Sequence, residues 1–394
     1  MRRKAIASVF AVLLTLALAA PAQAQDPGRP WVLTGASSVP TRYWQGLTSD
    51  AADSNLFFIG VFRGLWRTTP GLHQNAGVSD VIPPAVAQAE GYNHIGDPTW
   101  NPGDGGRVIL PMECFDPGTG ENTCGKGAFG VANPTNLAFR YYVNLDPAEI
   151  PKAMWAETSP DGLLIWTSSG NDLLAYRSSD VSLANRGPNG PVIHPVRRLS
   201  GAVPPTGITG AVFREGRLLL AGESDGLYQV WSVNTRTGGR RLEIQRRMCG
   251  ESEGLDAVPT LNGNLHWLIA PFDPGCELTF GPTSALLHFK RAPVHQIFQV
   301  VVTNTQVGTL PGQVRATVHA TVGGQPLRDV RVSFAGGAAR TGDNGFATVV
   351  TTLELPGRFK AFVRRDENYG LSNLVPVGMS QATKRLAAPR SGAG

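Results

Sequence analysis

The sequence predicts an all-β protein: a five-bladed β-propeller over residues 31–290, followed by a small β-sandwich over 297–378. Three observations predict it. The chain carries 47 glycines and 30 prolines but few stretches of helical periodicity, so turns punctuate short strands. Five apolar strand-like runs begin at Leu56, Val108, Leu163, Leu218 and Leu265, spaced 52, 55, 55 and 47 residues apart. Beyond Val300 the pattern changes to alternating strands joined by tight turns, the pattern of a small sandwich.

The chain opens on an export signal. Arg2, Arg3 and Lys4 precede an uncharged apolar run from Ala5 to Ala20 and then Ala22-Gln23-Ala24, the order of a secretory signal peptide over residues 1–24. The run has 16 residues, interrupted by Ser8 and Thr15, where a membrane span needs roughly 20. A secreted, extracellular protein with no membrane span after cleavage is the expectation. Residues from Gln381 to Gly394 read as a disordered tail.

Removing residues 1–24 takes away three of the 35 basic residues and none of the 30 acidic ones, so the net charge falls from +5 to +2. That balance leaves no basic stripe for a nucleic acid. The nearest candidate, Arg236 to Arg247, alternates its arginines with Leu242 and Ile244 and reads as an exposed outer strand. The chain is expected to be monomeric.

Four cysteines, Cys114, Cys124, Cys249 and Cys276, allow three pairings. The sequential one, 114 with 124 and 249 with 276, closes two short loops, each stabilising by about 3 kcal/mol in the chain-entropy model. No C-x-x-C spacing and no clustered histidine favours a metal instead.

Turns of loop-forming residues precede most of the five apolar runs: Asn101 to Gly106, Ser159 to Gly162, Arg214 to Gly216 and Leu261 to Asn264. Upstream of each turn lies another short strand. Four of these hold a glycine in a comparable place (Gly46, Gly96, Gly210 and Gly254), and the third repeat has Trp155-Ala156-Glu157. A repeat of about 50 residues with several strands marks a propeller blade, and the glycines suit the crowded start of each innermost strand. Trp31-Val32-Leu33 is placed to close the ring by joining the last blade. The rival, one large β-sandwich, does not predict the repeat.

The C-terminal segment has Gly324-Gln325-Pro326-Leu327-Arg328-Asp329-Val330-Arg331-Val332-Ser333-Phe334 and then the turn Thr341-Gly342-Asp343-Asn344-Gly345-Phe346-Ala347. It resembles the bacterial immunoglobulin-like domains of surface and secreted proteins. The resemblance covers roughly 80 residues and implies an immunoglobulin-like spacer or adhesion module without catalysis.

Innermost strands of a propeller converge on its axis, and the repeat brings Gln45, His94 with Asp97, Glu157, Thr209, and Glu253 with Asp256 to the mouth there. The segments His94-Ile95-Gly96-Asp97 and Glu253-Gly254 resemble those of secreted propellers of the calcium-binding lactonase, arylesterase and esterase-like phytase groups. That resemblance implies a calcium ion in the channel, here with Asp97, Glu253 and Asp256 among its ligands. A hard cation wants six to eight oxygens. The alternative is that each carboxylate accepts hydrogen bonds from the backbone of a neighbouring blade.

Catalysis, if present, centres on His94 as general base with Asp97 orienting it. His266 and His288 lie in apolar runs and are expected to be packed, and no Gly-x-Ser-x-Gly elbow occurs. Glu113, Glu223 and Asp225 follow the second strands and are expected on a loop face. Trp44, Trp66, Trp100, Trp155, Trp166, Trp231 and Trp267 recur at roughly blade spacing; most are expected in the core, and those left at the mouth suit stacking on a sugar. Two classes stay open: a binding protein for a small molecule or glycan, using Trp44, Gln45, Glu157 and Thr209, and a calcium-dependent hydrolase of esters, lactones or phosphates.

Overall fold

Every innermost strand of this protein starts against its neighbour's backbone, and that crowding organises the ring. The computed structural model describes residues 29–248, 250–258, 264–270 and 283–378. The signal segment, the tail, and the pairing of Cys249 with Cys276 lie outside the described residues.

Five antiparallel sheets follow one another in chain order. Blade 1 comprises Gly46–Ser49, Leu56–Ile59, Leu65–Thr68 and Gln74–Val78. Blade 2 has an interrupted inner strand, His94–Ile95 and Thr99–Asn101, then Arg107–Glu113, Ala128–Ala132 and Phe139–Asn144. Blade 3 runs Glu157–Thr158, Leu164–Ser169, Asp172–Arg177 and Arg197–Leu199. Blade 4 runs Gly207–Arg214, Arg217–Ser224, Leu227–Val233 and Arg240–Arg247. Blade 5 takes Glu251–Asp256, Leu265–Ala270 and Thr283–Arg291, and its fourth strand comes from the other end of the chain, Trp31–Pro40, with Trp31 opposite Arg291. The ring is therefore closed by β-pairing between strands more than 240 residues apart, as the sequence predicts. The arginine-rich Arg240–Arg247 is the outer strand of its blade.

The glycines meet the close approach expected of them. A Cβ on Gly96 would lie 1.7 Å from the carbonyl oxygen of Met154, and one on Gly254 would lie 2.4 Å from the Leu47 nitrogen. Only hydrogen fits there. Pro98 breaks the inner strand of blade 2, since it has no N–H to donate. Asp97 leaves its own ladder and pairs with Trp155 of blade 3, donating to the Met154 carbonyl and accepting from the Ala156 amide, each at 3.0 Å.

The Asp97 side chain then reaches the remaining blades. Its Oδ1 accepts the Leu47 amide of blade 1 at 2.8 Å, its Oδ2 accepts the Ala211 amide of blade 4 at 3.0 Å, and the Leu255 amide of blade 5 also donates to it. Fully buried, this one residue hydrogen-bonds to all four other blades and plugs the axis.

The C-terminal part is a two-sheet sandwich. One sheet holds Gln299–Val307, Gln313–Val322, Gln325–Pro326 and Phe346–Thr352; the other holds His295–Gln296, Asn368–Leu371, Phe362–Arg365, Arg331–Phe334 and Gly337–Arg340. Their inner faces share a core of Val318, Val332, Phe334, Val349 and Val363, into which Phe359 also packs. Instead of standing apart as a spacer, the sandwich is joined to the ring: Gly357–Phe359 pairs with Gly35 to Ser37 of the last blade, and Val375–Val377 pairs beyond it. The outer edge of Trp31–Pro40 would otherwise present unpaired backbone groups, and these strands cover it.

The plug predicts a specific cost. Asp97→Asn keeps one acceptor but aims an NH2 at a backbone N–H, and is expected to destabilise the fold by about 2–4 kcal/mol. Chemical denaturation checks this; an unchanged midpoint would show that the amides find other acceptors.

Candidate functional site at the propeller mouth

All five innermost strands run in the same direction along the axis, so the Asp97 plug divides the polar residues expected at one mouth into two groups. Gln45, His94, Thr209 and Glu253 precede the glycine layer and stand at the strand-start mouth. Glu157 and Asp256 follow it and lie on the far side of the plug.

At the mouth, His94 and Glu113 are directly opposite each other on paired strands, and Nδ1 of the imidazole lies 2.8 Å from Oε1 of the carboxylate. Both are buried. Glu113, and not Asp97, orients His94: the bulge at Pro98 turns Asp97 onto backbone amides, whereas the strand register sets Glu113 across from the ring. The Cys114–Cys124 disulfide closes the adjoining loop, as the sequential pairing predicts. That loop supplies Phe115, whose ring lies 4.9 Å from His94, and Asn122, whose Nδ2 donates to the other Glu113 oxygen at 3.4 Å. Phe62 of blade 1 adds an exposed ring, 6.1 Å from the imidazole, and its amide donates to Gln45 at 3.3 Å. Nε2 of His94 has no protein partner among the described residues.

Blade 5 contributes the acid side of the mouth. Burial holds the Glu253 carboxyl well above the usual range, the charges of Glu251, Asp97 and Glu223 add to it, and a hydrogen bond to Glu251 favours its protonated form. Burial and Glu223 also raise Glu251, opposed by the hydrogen bond from Glu253, by the Trp44 side chain and by the nearby His94. The hydrogen bond between the two acids favours the protonated form of Glu253 and the ionised form of Glu251. Glu223 accepts the Ser252 amide at 3.2 Å, and Thr209 donates to the Glu253 carbonyl at 3.3 Å. Trp44 and Gln45 are half-buried at the same mouth.

Beyond the plug, Oε1 of Glu157 accepts the Phe213 amide at 2.8 Å and Oε2 accepts the Thr99 hydroxyl at 2.9 Å. Burial, with the Asp256 charge adding to it, raises its pKa to about 8. Burial likewise raises Asp256 to about 7, opposed by hydrogen bonds from the Ala257 amide, at 2.8 Å from Oδ1, and from the Ser49 side chain. Both residues lie across the plug from Trp44, Gln45 and Thr209.

The expected calcium ligands do not come together. Among the described residues, Asp97, Glu253 and Asp256 do not bring their oxygens into one coordination sphere, and the plug uses both Asp97 oxygens. The set that does converge is Asp146, Glu149 and His194, with ligand atoms within 4.8 Å of one another; Asp146 and Glu149 lie on the loop joining blades 2 and 3 and His194 on the loop before the outer strand of blade 3. Arg198 lies 3.4 Å from the same Glu149.

The packed histidines form a buried chain. His266 bonds to the Val258 carbonyl and to His288 at 2.8 Å, and His288 bonds to Ser37 at 2.8 Å. Burial lowers both imidazoles, so both are neutral. Of the tryptophans, Trp155, Trp166 and Trp267 are core, while Trp44, Trp66, Trp100 and Trp231 are half-buried. Asp225 is on an exposed turn. Glu113, Glu223 and Glu251 are the mouth residues that sequence reasoning placed elsewhere or passed over. Period-2 alternation from Glu253 reaches Glu251, and pairing His94 to the end of the second strand reaches Glu113.

No protein-family model matches the chain, and no curated relative matches it. Among solved structures, the chain is similar to a PQQ-bound aldose sugar dehydrogenase from Streptomyces coelicolor (10% identity, 66% of this chain and 98% of that one, TM-score 0.34). It is also similar to the glutaminyl cyclase of Myxococcus xanthus (10% identity, 67% and 98%, TM-score 0.40). A third is the β-propeller domain of Cps50 from Myceliophteria thermophila (11% identity, 81% and 99%, TM-score 0.32). The fold assignment rests on the strand pairings themselves. No described helix is long and apolar enough to cross a membrane.

The raised acids set a pH dependence. A carboxyl whose pKa is higher folded than unfolded stabilises fully below the unfolded value, and that contribution is lost as pH rises through the folded one. For Glu157 the window runs from about 4.5 to about 8. Gln at this position can still accept the Phe213 amide through Oε1 and carries no ionisable group. Glu157→Gln is therefore expected to melt near the wild type at pH 5 and increasingly above it towards pH 9. Thermal melts across that range check it; a constant difference would contradict it.

Proposed function

We propose that this is an exported small-molecule hydrolase whose propeller mouth binds the substrate and carries acid–base chemistry, with an ester or lactone as the substrate class. The observation that carries this reading is the His94–Glu113 pair, 2.8 Å apart, at the same mouth as Glu253, whose burial and hydrogen bond to Glu251 favour its protonated form.

Glu113 fixes the Nδ1 side of the imidazole, leaving Nε2 to take a proton from water. The water oxygen attacks the substrate carbonyl as its proton passes to Nε2. When the tetrahedral adduct collapses, the carbon–oxygen bond to the leaving group breaks and that oxygen takes the Glu253 proton. The His94 proton then returns to the acid pair through solvent, restoring the resting state. Trp44 and Phe62 give the substrate apolar surfaces at the rim, and Gln45 and Thr209 give it polar ones. Phe115 and the disulfide-closed loop hold the base in place. The scheme uses only side chains at the mouth and requires no bound cation.

A panel of esters, lactones, glycosides and phosphate esters, assayed with and without chelator, tests this reading. Ester or lactone turnover is expected, insensitive to chelator. Glu253→Gln and His94→Gln are each expected to lower kcat by about 10²–10⁴-fold, the usual contribution of a positioned acid or base, with little change in melting temperature. Turnover lost to chelator, or retained in both variants, would overturn it. Ligand retention with no turnover by any substrate would leave the mouth as a binding site alone.

A further inference from the structure

We propose that the junction between the last blade and the sandwich is an oxyanion-binding site, built from Lys290, Arg331 and Arg364 and suited to phosphate, free or as a monoester. A cavity of about 340 Å³ lies there, lined by these three cations together with Ser333, Phe362 and Asp366.

The arrangement of charge is the first observation. Arg331 and Arg364 are directly opposite each other on antiparallel strands, a placement in which like charges repel and destabilise the pair. Lys290 arrives from the propeller side, on Thr283–Arg291, and its ammonium stands 5.7 Å from the centroid of the Phe362 ring. Burial and the charge of Arg331 both lower its pKa. Three cations are thus gathered where the fold gains nothing from their mutual repulsion.

Selective pairing is the second observation. Neighbouring arginines have carboxylate partners: Arg291 with Glu215 and Glu243, Arg328 with Asp343, and Arg340 with Asp329. Among the described residues, Lys290, Arg331 and Arg364 form no ion pair. The one carboxylate on the cavity wall belongs to Asp366, whose backbone carbonyl, rather than its side chain, accepts from Arg364 at 3.3 Å. The cavity therefore carries three cations against one carboxylate, an excess of positive charge with no ion pair among the described residues.

The chemistry of the donors selects the ligand. Two guanidinium groups offer planar forks of N–H donors and the ammonium adds a compact charge, a set that satisfies several oxygens of one anion at once. A monovalent carboxylate leaves part of that set unused, whereas a phosphate dianion engages it fully. Because Lys290 belongs to the propeller and both arginines to the sandwich, a bound anion also ties the two parts together.

Melting and titration calorimetry with inorganic phosphate, set against sodium chloride and sodium acetate at matched ionic strength, test the site. Phosphate is expected to raise the melting temperature beyond either control. Arg331→Gln and Arg364→Gln, both exposed positions, are expected to melt at or above the wild type without phosphate, because the repulsion is relieved. Each is expected to weaken phosphate binding by about tenfold or more, the equivalent of about 1.4 kcal/mol. Competition by glycerol 3-phosphate would show a soluble monoester, and flotation with phosphatidic acid vesicles, lost in Arg331→Gln, would show a lipid headgroup. Equal effects of chloride and phosphate, or an undiminished phosphate effect in both variants, would overturn the proposal.

Discussion

One carboxylate at the axis holds the starts of five blades in register. Asp97 donates its amide to Met154, gives its carbonyl to Ala156, and accepts the amides of Leu47, Ala211 and Leu255. Those amides point inward because the innermost strands begin too close together for side chains, and glycine at 46, 96, 210 and 254 makes that spacing accessible. Buried N–H groups without an acceptor would each cost about 1–3 kcal/mol. A carboxylate in their midst answers several at once, at the expense of its own desolvation, which drives its pKa upward.

The plug also divides the polar residues along the axis. It separates the strand-start mouth from the chamber that holds Glu157 and Asp256, so polar residues that share a repeat position do not share a site. On the mouth side, blade 2 supplies the His94–Glu113 pair and blade 5 supplies Glu253, whose pKa burial raises; in the proposed reaction these are the base and the acid. Both stand on the strand-start side of the glycine layer, with blade 1 between them. The disulfide-closed loop then fixes the base side through Phe115 and Asn122, so an oxidised cysteine pair bears on the site as well as on stability.

Much of this was legible in the chain. The near-constant period gave the number of blades, the glycines marked the innermost strands, and Trp31-Val32-Leu33 announced ring closure, because each reflects a local demand of turn, spacing or alternation. The packing of His266 and His288 followed from their apolar runs. The role of Asp97 was harder to read. His94 and Asp97 are three residues apart and suggest a pair, but Pro98 and the bulge send them to different partners, and only the register of the second strand reveals Glu113. The joining of Gly357–Phe359 to Trp31–Pro40 was equally hidden, since it depends on an exposed edge created by ring closure and on strands more than 300 residues apart.

Hydrogen exchange at the axis tests the central claim most directly. If Asp97 binds the five blades together, the amides of Leu47, Ala211 and Leu255 should exchange only through global unfolding and share one opening free energy, while amides in the outer strands open locally. Exchange of those three amides at the rate of the outer strands, or at three unrelated rates, would contradict the account.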